Sequence, residues 1–302
     1  MTLRLNKIFS FFVVTSLAIM TCAVITSDSG AQASQGVTLL KDSAMLFGTS
    51  SAESLNWAGY AAVSSTGSVS NVTGSFVVPD PPSSSQTQPA ANQNDALATF
   101  SHQGGQRPVS SSTTSYAAFW AGIDGFNDNT VEQAGVLMQV SGGTVNYSAW
   151  YEFYPAAPVY APWHPDTGDT ISVYVNYSST SGSFTATVVD LTHHHKFVSP
   201  ATAVTGADRS SAEWIAEAPS SARNILPLAD FGTVNFGFDY TGVPSTNYAV
   251  IGGDFGSIGT LAGLGGITVY SITMVNRNGS FKAAPSVLST DNTSFSVTWY
   301  SS

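Results

Sequence analysis

From Asn56 onward, apolar and polar positions alternate in short runs with a period of two, the spacing of strands whose successive side chains point to opposite faces. Between Thr170 and Tyr177, the residues Ile171, Val173, Val175 and Tyr177 alternate with Ser172, Tyr174 and Asn176. A Ser- and Gly-rich run at 178–183 then leads into Phe184 to Leu191, which predicts a hairpin. Similar segments recur at 69–78, 136–154, 234–240, 267–276 and 294–300, whereas no apolar stripe of helical period reaches a useful length. Many short strands joined by Gly, Ser and Asn turns imply an all-β chain folded as an antiparallel β-sandwich of two packed sheets.

Two stretches break the alternation. At the N-terminus Arg4 and Lys7 precede an apolar run from Ile8 to Ile25, followed by Ala31-Gln32-Ala33, the layout of a secretory signal peptide cut after Ala33. Residues 34–53 then read as a short propeptide or linker, and residues 54–302 as one domain. The second interruption, at 80–115, is rich in Ser, Gln, Pro and Asn without an apolar period and reads as a mobile loop insertion.

Composition narrows the chemistry. The only cysteine, Cys22, lies inside the N-terminal apolar run, so the secreted chain would have no disulfide, thiol nucleophile or Cys-based metal site. Charged residues are 9% of the chain and the formal charge is -10, which argues against nucleic acid as a partner. So few ionisable groups fit a secreted protein that tolerates acid. The expected product is extracellular and monomeric, without stable membrane association once the signal is removed.

Gln133 and Glu217 are the most informative residues. Alternation places Gln133 on one face with Val131, Gly135 and Leu137, and Glu132 on the other with Ala134 and Val136. Glu217 shares a face with Ile215 and Glu213, opposite Trp214 and Ala216. A carboxyl group in such surroundings is expected to be partly buried, with a raised pKa suited to proton transfer in acid. Together with an amide that donates to an oxyanion, it suffices for cleavage of a peptide by water.

The ordered segments Asn56-Trp57-Ala58-Gly59-Tyr60, Trp120-Ala121-Gly122-Ile123-Asp124-Gly125, Val131-Glu132-Gln133-Ala134-Gly135-Val136, Trp150-Tyr151-Glu152-Phe153-Tyr154-Pro155 and Ala212-Glu213-Trp214-Ile215-Ala216-Glu217 resemble the glutamic peptidases, the eqolisins of peptidase family G1. The resemblance implies a jelly-roll or concanavalin-like sandwich and an acid-acting endopeptidase on protein or peptide substrates, with no cofactor and no metal. It implies that Gln133 and Glu217 form the catalytic dyad. Glu217 would act as general base and then acid, and Gln133 would position the water and donate to the oxyanion. Trp120, Asp124 and Glu152 match positions that line or brace the cleft, and Glu213 reads as structural. A family Asp four residues after the catalytic Gln is Leu137 here.

Other motifs carry less. His193-His194-His195 falls at a hairpin turn, where adjacent side chains diverge, and reads as a solvated turn rather than a metal site. His102 and His164 have no carboxylate at a triad spacing, and no Gly-x-Ser-x-Gly elbow occurs. Two alternatives remain open from residues alone. One is a β-sandwich glycoside hydrolase using Glu152 and Glu217 with Trp120, Trp150 and Trp163 as sugar platforms. The other is a non-catalytic carbohydrate-binding module.

Overall fold

A computed structural model describes residues 38–39, 49–82, 114–221 and 224–302. The expected signal peptide at 1–33 and nearly all of the expected loop insertion at 80–115 lie outside the described residues. In chain order the strands are β1 (Thr38–Leu39), β2 (Thr49–Ser54), β3 (Trp57–Val63), β4 (Val69–Val77), β5 (Ser115–Ile123), β6 (Val131–Ser141), β7 (Thr144–Tyr154), β8 (Val159–Tyr160) and β9 (Thr170–Ser178). They continue with β10 (Ser183–Asp190), β11 (His195–Val198), β12 (Ser211–Glu217), β13 (Thr233–Phe236), β14 (Tyr248–Ile251), β15 (Asp254–Ser257), β16 (Thr268–Val275), β17 (Phe281–Pro285) and β18 (Phe295–Trp299). Two helices of one turn each, at Phe238–Thr241 and Ile258–Leu261, complete the described elements.

One layer runs β8-β7-β6-β5-β12-β3-β16, and the facing layer runs β11-β10-β9-β4-β14-β15. The hydrogen-bonded ladder does not stop between them, because β16 pairs with β17, β17 with β18, β18 with β13 and β13 with the end of β4. The two packed layers expected from the sequence are therefore one continuous sheet folded over on itself. Among the described strands all ladders are antiparallel except β2 on β16, where Thr49–Ser54 lies beside Val269–Met274. This strand belongs almost wholly to the segment read as propeptide or linker, yet it extends the sheet.

The alternation in the sequence becomes burial as the period-two rule requires. Phe119, Ala121 and Ile123 of β5, Ala134, Val136 and Met138 of β6, and Trp214 and Ala216 of β12 face the opposite layer. There they meet Val72 and Phe76 of β4 and Ile171, Val173 and Val175 of β9. Burial of each such side chain contributes roughly 1.5–3 kcal/mol, so this interior, rather than disulfides, stabilises the domain. The intervening residues of the same strands form a second apolar cluster on the outer face, with Trp57, Ala118, Trp120, Val131, Leu137, Trp150 and Ile215. Both faces of β12 are consequently covered and every residue from Ser211 to Glu217 is buried.

The hairpin of β9 and β10 forms in the expected register, with Ser178 opposite Ser183. The segment expected as strand at 234–240 is strand only to Phe236. Gly237, at φ 98°, turns the chain, and Phe238–Thr241 closes one helical turn that ends on Gly242 at φ 67°. Positive φ at both glycines interrupts an extended run that apolar spacing alone would continue.

Candidate functional site

The outer face of the β7-β6-β5-β12 layer gathers the polar side chains singled out above. Across it, Glu213, Gly122, Gln133 and Glu152 lie on one row of paired residues, and Ile215, Trp120, Gly135 and Trp150 on the next. Glu217, Ala118 and Leu137 form the third row. Gln133 and Glu217 thus share a face, one strand to either side of β5, but their partners on β5, Gly122 and Ala118, are four residues apart along that strand.

Two glycines allow this surface to form. A Cβ at Gly135 would lie 2.0 Å from the Phe119 carbonyl oxygen and 2.7 Å from Trp120 Cβ, and one at Gly122 would lie 3.0 Å from Gln133 Cβ. The Gly in Gln-Ala-Gly therefore lets β6 close onto β5 beneath Trp120, and Gly122 leaves room for Gln133.

Glu217 is buried and receives two neutral donors. Trp120 Nε1 donates to Oε2 at 2.9 Å, and Asn56 Nδ2 donates to Oε1 at 3.2 Å. Asn56 is itself oriented by Ser54, whose hydroxyl donates to Asn56 Oδ1 at 3.1 Å. Trp57 meets Trp120 edge to face, with ring centroids 5.0 Å apart. Burial raises the Glu217 pKa well above the usual carboxyl value; the Trp120 donor opposes this, the charge of Glu152 adds to it, and Asn56 and Trp57 oppose it again.

Gln133 is held from the other side. Its Nε2 donates to Glu152 Oε2 at 2.9 Å across the β6–β7 ladder. Burial pushes Glu152 up to about 8, with the Gln133 bond acting against the shift. Glu152 is therefore a neutral acid throughout the acid range. Protonated, it fixes the amide without placing a full negative charge beside Glu217; only once ionised does its charge raise the Glu217 pKa further.

Of the expected site residues, Gln133, Glu152, Glu217 and Trp120 come together on this face. Asp124 lies elsewhere, in the turn after β5 at φ 70°. There its carboxylate accepts from Arg209 N at 2.6 Å and Ser210 N at 2.7 Å, and it neighbours Asp128. Leu137 packs into the outer apolar cluster on the Glu217 row, where it adds to the desolvation. Asn56 and Ser54 had no assigned role from sequence. The motif beginning at Asn56 was visible, but nothing local could link it to a carboxyl 161 residues away.

His193 and His194 lie at a turn and His195 opens β11, with His193 Nδ1 3.2 Å from both Asp169 Oδ2 and Asp190 Oδ2. These pairs raise the His193 pKa, Asp190 contributing first. The rings of His193 and His195, two residues apart, lie 6.4 Å from each other at 24°. Ligand atoms of Asp166, Asp169 and His193 come within 4.8 Å of one another on this rim. Trp163 stacks on His195 and packs against the interior between the layers, away from Trp120 and Trp150, which are themselves buried. The three tryptophans do not form one sugar-binding platform.

Comparison with known proteins places these features in context. Residues 55–252 match the Peptidase A4 family. Aspergillopepsin-2 of Aspergillus niger is 33% identical over 201 residues, 65% of this chain and 67% of its own length. The crystal structure of scytalido-glutamic peptidase with a transition state analog inhibitor superposes with a TM-score of 0.57 at 21% identity, covering 81% of this chain and 98% of that one. The aspergilloglutamic peptidase from Aspergillus niger superposes with a TM-score of 0.50 at 28% identity, covering 62% and 99% respectively.

Proposed function

This chain belongs to the Peptidase A4 family, the eqolisin-type glutamic peptidases, and is a hydrolase of protein or peptide substrates; from that premise we propose that Gln133 and Glu217 perform the cleavage, in a secreted endopeptidase that acts in acid. The observation that carries this reading is the environment of Glu217. A buried carboxyl group has neutral N–H donors on both oxygens, and the neighbouring Glu152 is occupied in orienting Gln133.

The chemistry follows from those partners. Ionised Glu217, stabilised by Trp120 and Asn56, takes a proton from a water that attacks the scissile carbonyl. The oxyanion receives an N–H of the Gln133 amide, a contribution of about 3–4 kcal/mol for such a donor. Glu217 then returns the proton to the departing amine. Its raised pKa makes it a stronger base when ionised and a competent acid afterwards. Trp120 positions the carboxylate, and Glu152 positions the amide.

Secretion rests on the N-terminal pattern at 1–33, and the described residues contain no helix long and apolar enough to cross a membrane. Intact-mass measurement of culture-medium protein checks it, with the mature chain expected to begin at or after Ser34.

Cleavage of a denatured protein by the purified chain tests the dyad. Activity should survive chelators, serine and cysteine reagents and pepstatin. Gln133→Ala should lower kcat by about a hundredfold to a thousandfold with circular dichroism unchanged. Glu152→Gln should be milder, because a neutral acceptor replaces a neutral acceptor. Near-normal turnover in Gln133→Ala would overturn the assignment.

A further inference from the structure

A cavity of about 660 Å³ has Leu55, Leu226, Val275, Asn276, Asn278, Arg277 and Lys282 among its lining residues. Lys282 is unusual there. It is only 7% exposed, and its Nζ donates to the Leu55 carbonyl at 3.3 Å. Among the described residues no carboxylate lies within 4.0 Å of Nζ. No Asp or Glu lines the cavity at all.

A buried ammonium with one weak acceptor and no counter-ion is costly. Arg277 adds a second positive charge, so two of the chain's 9 basic residues, against 19 acidic ones, line this one cavity. Burial lowers the Lys282 pKa to about 8, which leaves the side chain charged throughout the acid range. The cavity is thus a cationic space with mixed apolar and amide walls, in a chain whose formal charge is -10.

Its walls connect it to the catalytic face. Leu55, which receives Lys282, immediately precedes Asn56, the donor to Glu217. Leu226 packs against the cluster containing Trp57 and Trp120, and its N–H donates to the Pro219 carbonyl just beyond the end of β12.

We infer that this cavity is a substrate subsite in which Lys282, assisted by Arg277, accepts a carboxylate of the bound peptide. The inference rests on the proposed cleavage at Glu217 and adds a charge preference to it. An acidic side chain and a free peptide C-terminus offer the same group, so the test separates them.

Two peptide series serve as probes at pH 5, where carboxylates of both kinds are largely ionised. In one, Glu or its isostere Gln is moved through successive positions around a fixed scissile bond. In the other, the chain ends in a free acid or an amide. One position, or the free terminus, should raise kcat/KM about tenfold over its neutral counterpart. In Lys282→Met that ratio should fall to about one, and Lys282→Arg should restore part of it.

A ratio of one at every position in the native protein overturns the subsite. So does a preference that Lys282→Met leaves intact. Failure of the catalytic reading looks different: neutral peptides would go uncleaved by the native protein, or would still be cleaved by Glu217→Gln. Because both tests of Lys282 compare ratios within one variant, a general loss of stability does not imitate the expected result.

Discussion

Two groups of buried carboxyls sit on the same layer, and their partners differ. In one group Glu217 faces Trp120 and Asn56, and Glu152 faces Gln133, so that each carboxyl meets a neutral N–H donor. At the other end of β12 lie Asp124, Asp128, Glu132 and Glu213, with Glu132 and Glu213 on opposite faces of the layer but near enough for their charges to act on one another. Burial raises all four, and for Asp128, Glu132 and Glu213 the charge of Asp124 adds to the shift. The same residue type at similar burial is thereby put to two uses. Donors keep the ionised state of Glu217 accessible for proton transfer, whereas mutual repulsion makes the second group tolerable only when it is largely protonated.

The strongest test of this contrast exchanges one charge in each group. Glu217→Gln should abolish peptide cleavage, by at least about a thousandfold in kcat, with an unchanged circular dichroism spectrum. Glu213→Gln, two rows away on the same strand, should keep kcat within a few-fold and raise the melting temperature at pH 7. Equal losses of activity in the two variants would dissolve the distinction.

Next comes pH. Asp128 is pushed from the ordinary 3.8 up to about 8, mainly by burial and then by Asp124. A folded-state pKa above the unfolded one means that the unfolded chain loses its proton first. The contribution to stability is therefore complete below about 3.8 and is lost as pH rises toward 8. Melting curves should fall by on the order of 10 °C across this window, a shift worth a few kcal/mol for a domain of this size. Asp128→Asn should flatten the decline. A melting temperature that instead rises steadily from pH 4 to pH 8 would contradict it.

A smaller effect is expected at Trp120. Trp120→Phe keeps the ring packed beside Trp57 but removes the Nε1 donor to Glu217. The Glu217 pKa should climb further, moving the acid limb of the kcat profile to higher pH by about one unit. The rate on the plateau should fall only about tenfold. A profile that loses height without moving would mean that Trp120 acts through packing alone.

The least effect, and the opposite sign, belongs to Asp291. Burial pushes its pKa up, but donors from Ser289, Thr293 and Ser294 outweigh this and hold it well below the usual range. Its contribution is present above the unfolded pKa and fades as pH falls through the folded one. Asp291→Asn should lower the melting temperature by a few degrees at pH 6 and by less at pH 3.

The period-two pattern determined the strands, their two faces and the β9–β10 hairpin, because alternation maps directly onto which side of a sheet a residue occupies. It placed Gln133 with Leu137, and Glu217 with Ile215, on a common face of each strand, and the fold makes that face the outer one. Ordered motifs identified the family, since several matches in the right order are far more specific than one. What alternation could not carry was position across strands. Only the registers of β12, β5, β6 and β7 brought Glu217 under Trp120 and Gln133 against Glu152, and sent Asp124 to a separate group. The continuous ladder through β17 and β18, the parallel addition of β2, the Asn56 donor and the buried Lys282 likewise depend on contacts between residues far apart in the chain. Local patterning records the face of each side chain, but partners and pKa shifts arise from burial and proximity, which exist only once the sheet has folded over.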